Sequence, residues 1–326
     1  MKIFKIKSND AFGLDIGYET IKLVSVTSNK KGIYLVGATE VPLTERILER
    51  DHFKNKAKTA TLIKDACRKA LPSPIRARRI VSALPETFVF SKTIQMPKMT
   101  KEEYTKAIPI EAAQYLPIPV EKVYIDFQIM IVHPDEPLID LLFVAAPKQL
   151  VDDYVEVIKM AGFELSALET KPLAVGRAVA ASVPLHGAVI CEIGTEITRL
   201  SLWDNNNIRF STSVPVGNNQ IKESLDHEFN SSNTIQNSVA TSMLINPLSQ
   251  EILSTIKYHQ SRDFHPSPVE KIYLCGSGAK IPGVDKFIEQ KTNLATEIIL
   301  PNIKNNHQLG TEFTTAFGLA LRGDLE

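Results

Sequence analysis

The sequence predicts a mixed α/β protein built as two related lobes, and three observations carry that reading. Short apolar runs alternate with helical patterns along the chain, the signature of strands and helices in one fold rather than of an all-helical or all-β one. At 326 residues the chain has room for two domains, or for two similar halves with a cleft between them. A short motif also occurs twice. Asp15-Ile-Gly-Tyr-Glu-Thr-Ile-Lys-Leu23 returns as Glu192-Ile-Gly-Thr-Glu-Ile-Thr-Arg-Leu200, with acid, Ile, Gly, Glu, base and Leu in register.

The elements follow in order. Phe12-Gly-Leu-Asp-Ile16, Ile21-Lys-Leu-Val-Ser-Val26 and Ile33-Tyr-Leu-Val-Gly-Ala38 read as three strands parted by Gly17 and by Ser28-Asn-Lys-Lys-Gly32, so the chain opens as an antiparallel meander. Between Thr59 and Ala70 a helix would align Leu62, Ile63, Ala66 and Ala70 on one face, and Arg79 to Leu84 returns to a strand. From Met96 the texture changes, because Pro97, Pro109, Pro117, Pro119, Pro134 and Pro137 mark an inserted subdomain. Thr100-Lys-Glu-Glu103 is a capping box for a helix running toward Tyr115, which Pro117-Ile-Pro119 stops. Strands near Tyr124 to Val132 and Leu138 to Ala145, and a helix near Lys148 to Ala161, complete a small α/β unit.

The second half repeats the opening, with strands at Ala188-Val-Ile-Cys-Glu-Ile193, Arg199-Leu-Ser-Leu-Trp203 and Ile208-Arg-Phe-Ser-Thr212. Two short helical patterns, Asn219 to Phe229 and Ser249 to Asp263, flank a Ser/Asn-rich patch from Asn230 to Ser242 that reads as a loose loop. The strand Lys271-Ile-Tyr-Leu274 then enters a third glycine cluster, Gly276-Ser-Gly278, ahead of a helix near Val284.

Composition excludes several functions. Thirty-seven basic residues balance thirty-seven acidic ones, which removes a global field for nucleic acid or an anionic membrane. Cys67, Cys191 and Cys275 fit neither a disulfide framework nor a C-x-x-C metal pair and read as reduced thiols. The seven histidines are scattered without metal-ligand spacing, and Ser91, Ser166 and Ser213 lack the setting of a nucleophile elbow. The start lacks a signal peptide's apolar stretch, Lys2, Lys5 and Lys7 read as a frayed basic end, and no segment approaches the roughly 20 apolar residues of a membrane span. The expectation is a soluble, cytoplasmic protein.

Each copy of the repeated motif lies between two apolar strands, so its glycine stands at a hairpin tip where the backbone turns sharply and can approach a ligand. Successive N–H groups there form an anion-binding nest, and two nests across a cleft would grip a polyphosphate from both sides. An acid beside phosphate makes sense only with a divalent cation between them, so Asp15 and Glu192 read as Mg²⁺ partners through water. The contacts expected around them are Gly17, Tyr18, Glu19, Thr20 and Lys22 in the first tip and Gly194, Thr195 and Thr198 in the second. Lys22 would offset phosphate charge and the threonines would supply hydroxyl donors. Gly276, Ser277 and Gly278 would lie against the base or ribose. Alone, Asp-Ile-Gly is a common tight hairpin; the repeat with strands on both sides carries the ligand reading.

In this order the three clusters resemble the phosphate-1, phosphate-2 and adenosine motifs of the actin, Hsp70 and FtsA superfamily, whose bilobed fold is actin-like (ribonuclease H-like). Within it Ile94-Gln-Met-Pro-Lys-Met99, Ile110-Glu-Ala-Ala-Gln-Tyr-Leu-Pro-Ile-Pro119, Asp126-Phe127 and Phe317-Gly-Leu-Ala-Leu-Arg-Gly323 resemble the type IV pilus assembly PilM family over roughly residues 10 to 323. The resemblance implies subdomain 1A over 1–90 and 165–183, an FtsA-type 1C over 91–164, 2A over 184–216 and 269–326, and a reduced 2B over 217–268. It implies ATP with Mg²⁺ between the lobes, and the cytoplasmic N-terminal tail of a PilN-like membrane protein docked beside 1C. It also implies a place at the inner face of the cytoplasmic membrane, reached through partners, in a pilus, competence or secretion platform, with self-association left open.

Three departures shape the expectation. Glu192 replaces the usual Asp of phosphate 2, which lengthens the reach to a metal. Lys171, in Lys171-Pro-Leu-Ala174, takes the place of a Glu, Gln or Asp and cannot orient a water as those side chains do, so hydrolysis is expected to be slow or absent. The reduced 2B region lowers the expected affinity for nucleotide. An FtsA-like polymerising protein is the alternative, set behind because the chain stops at Gly323-Asp-Leu-Glu326 without that group's amphipathic helix; a sugar kinase would need a carboxylate base that no Asp supplies here. Trp203 reads as packing, and the stripe Ile108, Ala112 and Tyr115 as core whose exposed part would suit a peptide groove.

Overall fold

Strands that are apolar along their whole length need cover on both faces, and the chain arranges this twice. The computed structural model describes residues 11–49, 52–132, 137–227, 239–262 and 267–323. In the first lobe β1 (Ala11–Ile16), buried throughout, pairs antiparallel with β2 (Thr20–Asn29), which pairs antiparallel with β3 (Gly32–Pro42). A short hairpin of β4 (Leu48–Glu49) and β5 (His52–Phe53) leads into α1 (Lys56–Lys69), capped by the Asn55 carboxamide oxygen accepting from the Lys58 N–H at 2.9 Å. β6 (Leu71–Pro72) closes the far edge beside β3, and β7 (Arg79–Leu84) returns parallel to β1.

The insert comprises β8 (Phe90–Pro97), α2 (Lys101–Ala112), β9 (Val123–Val132) and β10 (Leu138–Pro147), with sheet order β8-β10-β9. Tyr104, Ile108 and Ala112 of α2 pack on Ile94, Leu141 and Phe143 in a core of their own, and the Thr100–Glu103 capping box starts the helix. α3 (Lys148–Met160) parts company with the insert: Leu150, Tyr154, Val157 and Ile158 join Phe12, Ile63 and Ile80 in the first-lobe core. By packing, the insert ends before α3 rather than at residue 164. β11 (Glu164–Thr170) then lies parallel beside β7, giving the order β11-β7-β1-β2-β3-β6.

α4 (Lys171–Ala180) runs between the lobes, with Ala174 against Ala11 and Val81 on one side and Val175 and Val179 against Ile190 and Trp203 on the other. The second lobe repeats the first: β12 (Ala188–Ile193), β13 (Thr198–Asp204) and β14 (Asn207–Val214) form a meander, and β15 (Lys271–Cys275) lies parallel to β12. Between them come α5 (Asn218–His227) and α6 (Val239–Arg262); after them come α7 (Val284–Thr292) and β16 (Ala295–Ile298), in a sheet of order β14-β13-β12-β15-β16. α6 starts well before Ser249 because Ile245, Leu248 and Ile252 keep one face buried across the exposed Pro247. Residues 230–238 of the Ser/Asn-rich patch, like Lys2, Lys5, Lys7 and the last three residues, lie outside the described residues.

α8 (Thr314–Arg322) crosses back to the first lobe, where Ala316, Phe317, Ala320 and Leu321 share a core with Val24, Val26 and Ala178. The range 269–326 therefore serves both lobes. Trp203 is core, its indole against Gly176 of α4. All three cysteines are buried, and burial pushes the Cys67 thiol up to about 12.

Candidate functional site

The repeated motif makes the same backbone object twice. The Gly17 N–H donates to the Thr20 carbonyl at 2.9 Å, and the Gly194 N–H to the Ile197 carbonyl at 3.0 Å, so each hairpin closes over two residues, Tyr18-Glu19 and Thr195-Glu196. Neither glycine has a left-handed φ. What disfavours a side chain is close approach: a Cβ at Gly194 would lie 2.8 Å from the Ile197 carbonyl oxygen, which forces a shift, and one at Gly17 a tight 3.0 Å from that of Thr20. The register then sets Lys22 opposite Asp15 and Arg199 opposite Glu192.

Both acids are buried, and both are already paired. Lys171, the first residue of α4, places Nζ 2.6 Å from Asp15 Oδ1 and donates to the Ile16 carbonyl at 3.4 Å. Burial pushes the Asp15 carboxyl up, but Lys171 first, then Lys22 and the more distant Arg199, outweigh it and hold it below its ordinary range. Glu192 Oε2 lies 3.2 Å from Arg199, while Oε1 accepts from the Thr315 hydroxyl of α8 at 2.7 Å. Arg199 also reaches Glu86 Oε2 of the first lobe at 3.3 Å. Burial holds the Glu86 carboxyl above its ordinary range against the opposing pull of Arg199, and neighbouring Glu192 adds to that rise. Burial disfavours the Arg199 charge, yet Glu192, Glu86 and Asp15 raise its pKa above the ordinary value.

Further polar links span the cleft: Arg46 pairs with Glu196 of the second tip, and Asn219 of α5 donates to Glu19 of the first. The α5 start is tied to the second hairpin, its Asn218 and Asn219 N–H groups donating to the Gly194 and Thr195 carbonyls at 2.8 and 3.0 Å. Thr20 accepts from Lys22, which also pairs with Glu40 at 3.1 Å. Thr198 is fully buried, its hydroxyl donating to the Val216 carbonyl at 2.7 Å. The Tyr18 ring lies under Arg46, 5.5 Å from its centroid. Gly276 and Gly278 press against the end of β12, where Cβ atoms would sit 2.4 Å from the Ile193 carbonyl oxygen and 2.2 Å from its Cγ2. Ser277 Oγ and, beside the second hairpin, Asn218 Oδ1 are buried without a hydrogen-bond partner.

These residues do not fit a resident divalent cation. A carboxylate neutralised at short range by a buried base has little left to offer Mg²⁺, and no group of three or more His, Cys, Asp or Glu among the described residues could hold an ion. The sequence reading missed Glu86, Thr315, Arg46 and Asn218. Thr315 stands on a helix whose return to this cleft has no local signal, and Glu86 lies in a 3-10 turn just after β7. Lys171 was visible only as the loss of a water-orienting group.

A groove of about 540 Å³ lies between the insert and the second lobe, lined by Phe90 to Gln95 of β8, Ile208 to Ser211 of β14, Leu142, and Glu111 and Tyr115 near the end of α2. Ile108 and Ala112 are core, whereas Tyr115 is partly exposed beneath Lys92, whose Nζ is 3.3 Å from the ring centroid.

Two lobes with one topology, each presenting a glycine hairpin to a shared cleft, define the actin-like class. A family model described as Type IV pilus assembly protein PilM matches residues 13–324, and the chain belongs to that family. Among solved structures, one described as a PilM-PilN type IV pilus biogenesis complex is 26% identical, covers 97% of this chain and 99% of its own, and superimposes with a TM-score of 0.81. The ethanolamine utilization protein EutJ from Carboxydothermus hydrogenoformans (13% identity, 95% and 88% covered, TM-score 0.54) shares the fold. So does the cytoplasmic domain of EpsL, an inner-membrane component of the Vibrio cholerae type II secretion system (9%, 96% and 94%, 0.50). The family match favours pilus assembly over the FtsA-like polymerising alternative. No helix among the described residues is long and apolar enough to cross a membrane.

Proposed function

We propose that the protein is an adaptor of the inner-membrane assembly platform of a type IV pilus or related machine, and that it docks the cytoplasmic N-terminal tail of a PilN-like membrane protein. The groove beside the insert carries this reading. Its walls are consecutive residues of two edge strands, β8 paired among the described residues only with β10 and β14 only with β13. An extended tail laid there adds to a free edge through main-chain hydrogen bonds. Phe90, Leu142 and Phe210 offer apolar contact, and Lys92, Arg209, Glu111 and Asp140 offer charge of both signs. The likeness to a PilM–PilN complex supports the class of partner, and that partner would hold the protein at the inner face of the membrane.

The interlobe cleft is the proposed ATP site. The N–H groups of Tyr18, Glu19, Thr195 and Glu196 would hold phosphate, with the unpaired Ser277 hydroxyl as a further donor. Lys171 in place of a water-orienting side chain makes it a binding site with little turnover.

Fluorescence anisotropy with a labelled peptide of the PilN-like tail tests the docking reading. Thr93→Arg, which drives a charged side chain into the groove, should weaken binding about tenfold or more, the equivalent of ~1.4 kcal/mol, without moving Tm. Equal affinity in variant and wild type would place the tail elsewhere.

A further inference from the structure

An acid at the root of a phosphate hairpin serves a divalent cation only while its charge is free, and here neither charge is. Lys171 and Asp15 form an ion pair whose side chains are 6% and 10% exposed, at a distance of 2.6 Å. Glu192 has both oxygens engaged, one by Arg199 and one by the Thr315 hydroxyl, and Arg199 divides its guanidinium between Glu192 and Glu86. These pairings come from three places in the chain, α4, the second hairpin itself and α8, so the neutralisation is not the accident of one flexible side chain.

Charge at short range decides what such a site accepts. A divalent ion placed at the hairpin roots would stand close to Lys171 and Arg199; even two unit charges 4 Å apart repel by about 4 kcal/mol at an effective dielectric constant of 20. Displacing either base to make room would leave a buried cation without its partner, which costs several kcal/mol. With the bases in place, three carboxylates (Asp15, Glu192, Glu86) face Lys171 and Arg199, with Lys22 next to them on β2. Lys22 is itself paired with Glu40, so two bases stand against three carboxylates, and the unmatched charge is at most one negative unit, less than a divalent ion carries.

We infer that Lys171 and Arg199 are resident counter-cations that take the place of the divalent cation between the paired hairpins, so that the cleft engages a nucleoside polyphosphate as the metal-free anion. The second half of this inference rests on the nucleotide reading of the cleft; the first half, that the cleft takes no divalent cation, stands without it. Mg²⁺, which binds ATP in solution, would then compete with the protein for phosphate instead of bridging to it.

Two titrations of the full chain test this. The first adds Mn²⁺ alone and follows the free ion by electron paramagnetic resonance. The second adds a fluorescent ATP analogue, once in EDTA and once in excess Mg²⁺. Wild type should take up no Mn²⁺ at sub-millimolar concentration, and the analogue should bind in EDTA as tightly as in Mg²⁺ or up to about tenfold more tightly, a difference of at most ~1.4 kcal/mol. Lys171→Gln, which releases Asp15, should gain a Mn²⁺ site and a preference for Mg²⁺; should it fail to fold, the wild-type titrations decide alone. Mn²⁺ uptake by wild type that Asp15→Asn abolishes, nucleotide binding that requires Mg²⁺, or a folded Lys171→Gln with no Mn²⁺ site would overturn the inference. Wild type that binds nucleotide in neither buffer would sink the nucleotide reading, while the Mn²⁺ titration would still decide the cation half.

Discussion

The first and second hairpins share a backbone and differ in how their acids are held. Glu192 keeps the base its register provides, Arg199, and that base reaches on to Glu86 in the other lobe. Asp15 does not: its register partner Lys22 turns to Thr20 and Glu40, and a lysine from α4 takes over. Both copies keep the turn, which needs only glycine and two flanking strands, while the ion pair stays within the second hairpin and is taken from a helix, α4, at the first. A motif thus predicts geometry more securely than it predicts the chemistry on it.

The sharpest break in the comparison should come at Arg199, because one side chain serves two carboxylates, Glu192 buried and Glu86 largely so. Arg199→Met would leave Glu192 and Glu86 without a cation, Glu192 keeping only its Thr315 hydrogen bond, and should destabilise the protein by about 3–5 kcal/mol, read from urea unfolding. The first hairpin offers only one acid to its base, so removing Lys171 should cost less than removing Arg199. The reverse order would mean that the second hairpin does not depend on its register pair.

A smaller effect separates the two sides by pH. Glu86 has its pKa raised above the ordinary 4.5, so it stabilises the folded state while protonated, and that contribution is lost as pH rises through the raised value. Asp15 has its pKa lowered below the ordinary 3.8, so its contribution is present above that value and is lost as pH falls through the folded one. Glu86→Gln should therefore raise Tm at pH 7 by roughly 1–2 °C, an advantage that fades as pH falls toward 4. A lower Tm for the variant at pH 7 would show that the pairing with Arg199 outweighs the burial of Glu86.

Much of this was legible in the sequence. The meanders, the capping box at Thr100 and the hairpin repeat depend on local period and turn chemistry, and they lie where those signals put them. Packing across distance was not legible. The apolar stripes of α3 and α8 are visible in Leu150, Tyr154 and Val157 and in Phe317 and Ala320, but a stripe does not say which sheet it will cover. β11 and α4 went unread: Glu164-Leu-Ser-Ala-Leu-Glu-Thr170 is mostly half-buried and mixes polar with apolar residues, so it has no strong strand period. Without them Lys171 had no address, and the expectation of Mg²⁺ at Asp15 followed. The glycine cluster at Gly276 and Gly278 was read for a ligand, whereas its immediate use is to let β15 meet the end of β12 at Ile193.

The most direct measurement is a double-mutant cycle on the first hairpin, with Asp15→Asn, Lys171→Met and the pair of substitutions unfolded in urea. A buried ion pair at 2.6 Å predicts a coupling energy of about 2 kcal/mol or more, with the double variant more stable than Lys171→Met alone. Additive effects, with coupling below ~0.5 kcal/mol, would contradict the pairing of Asp15 with Lys171 and return Asp15 to the cleft as an acid free for a metal.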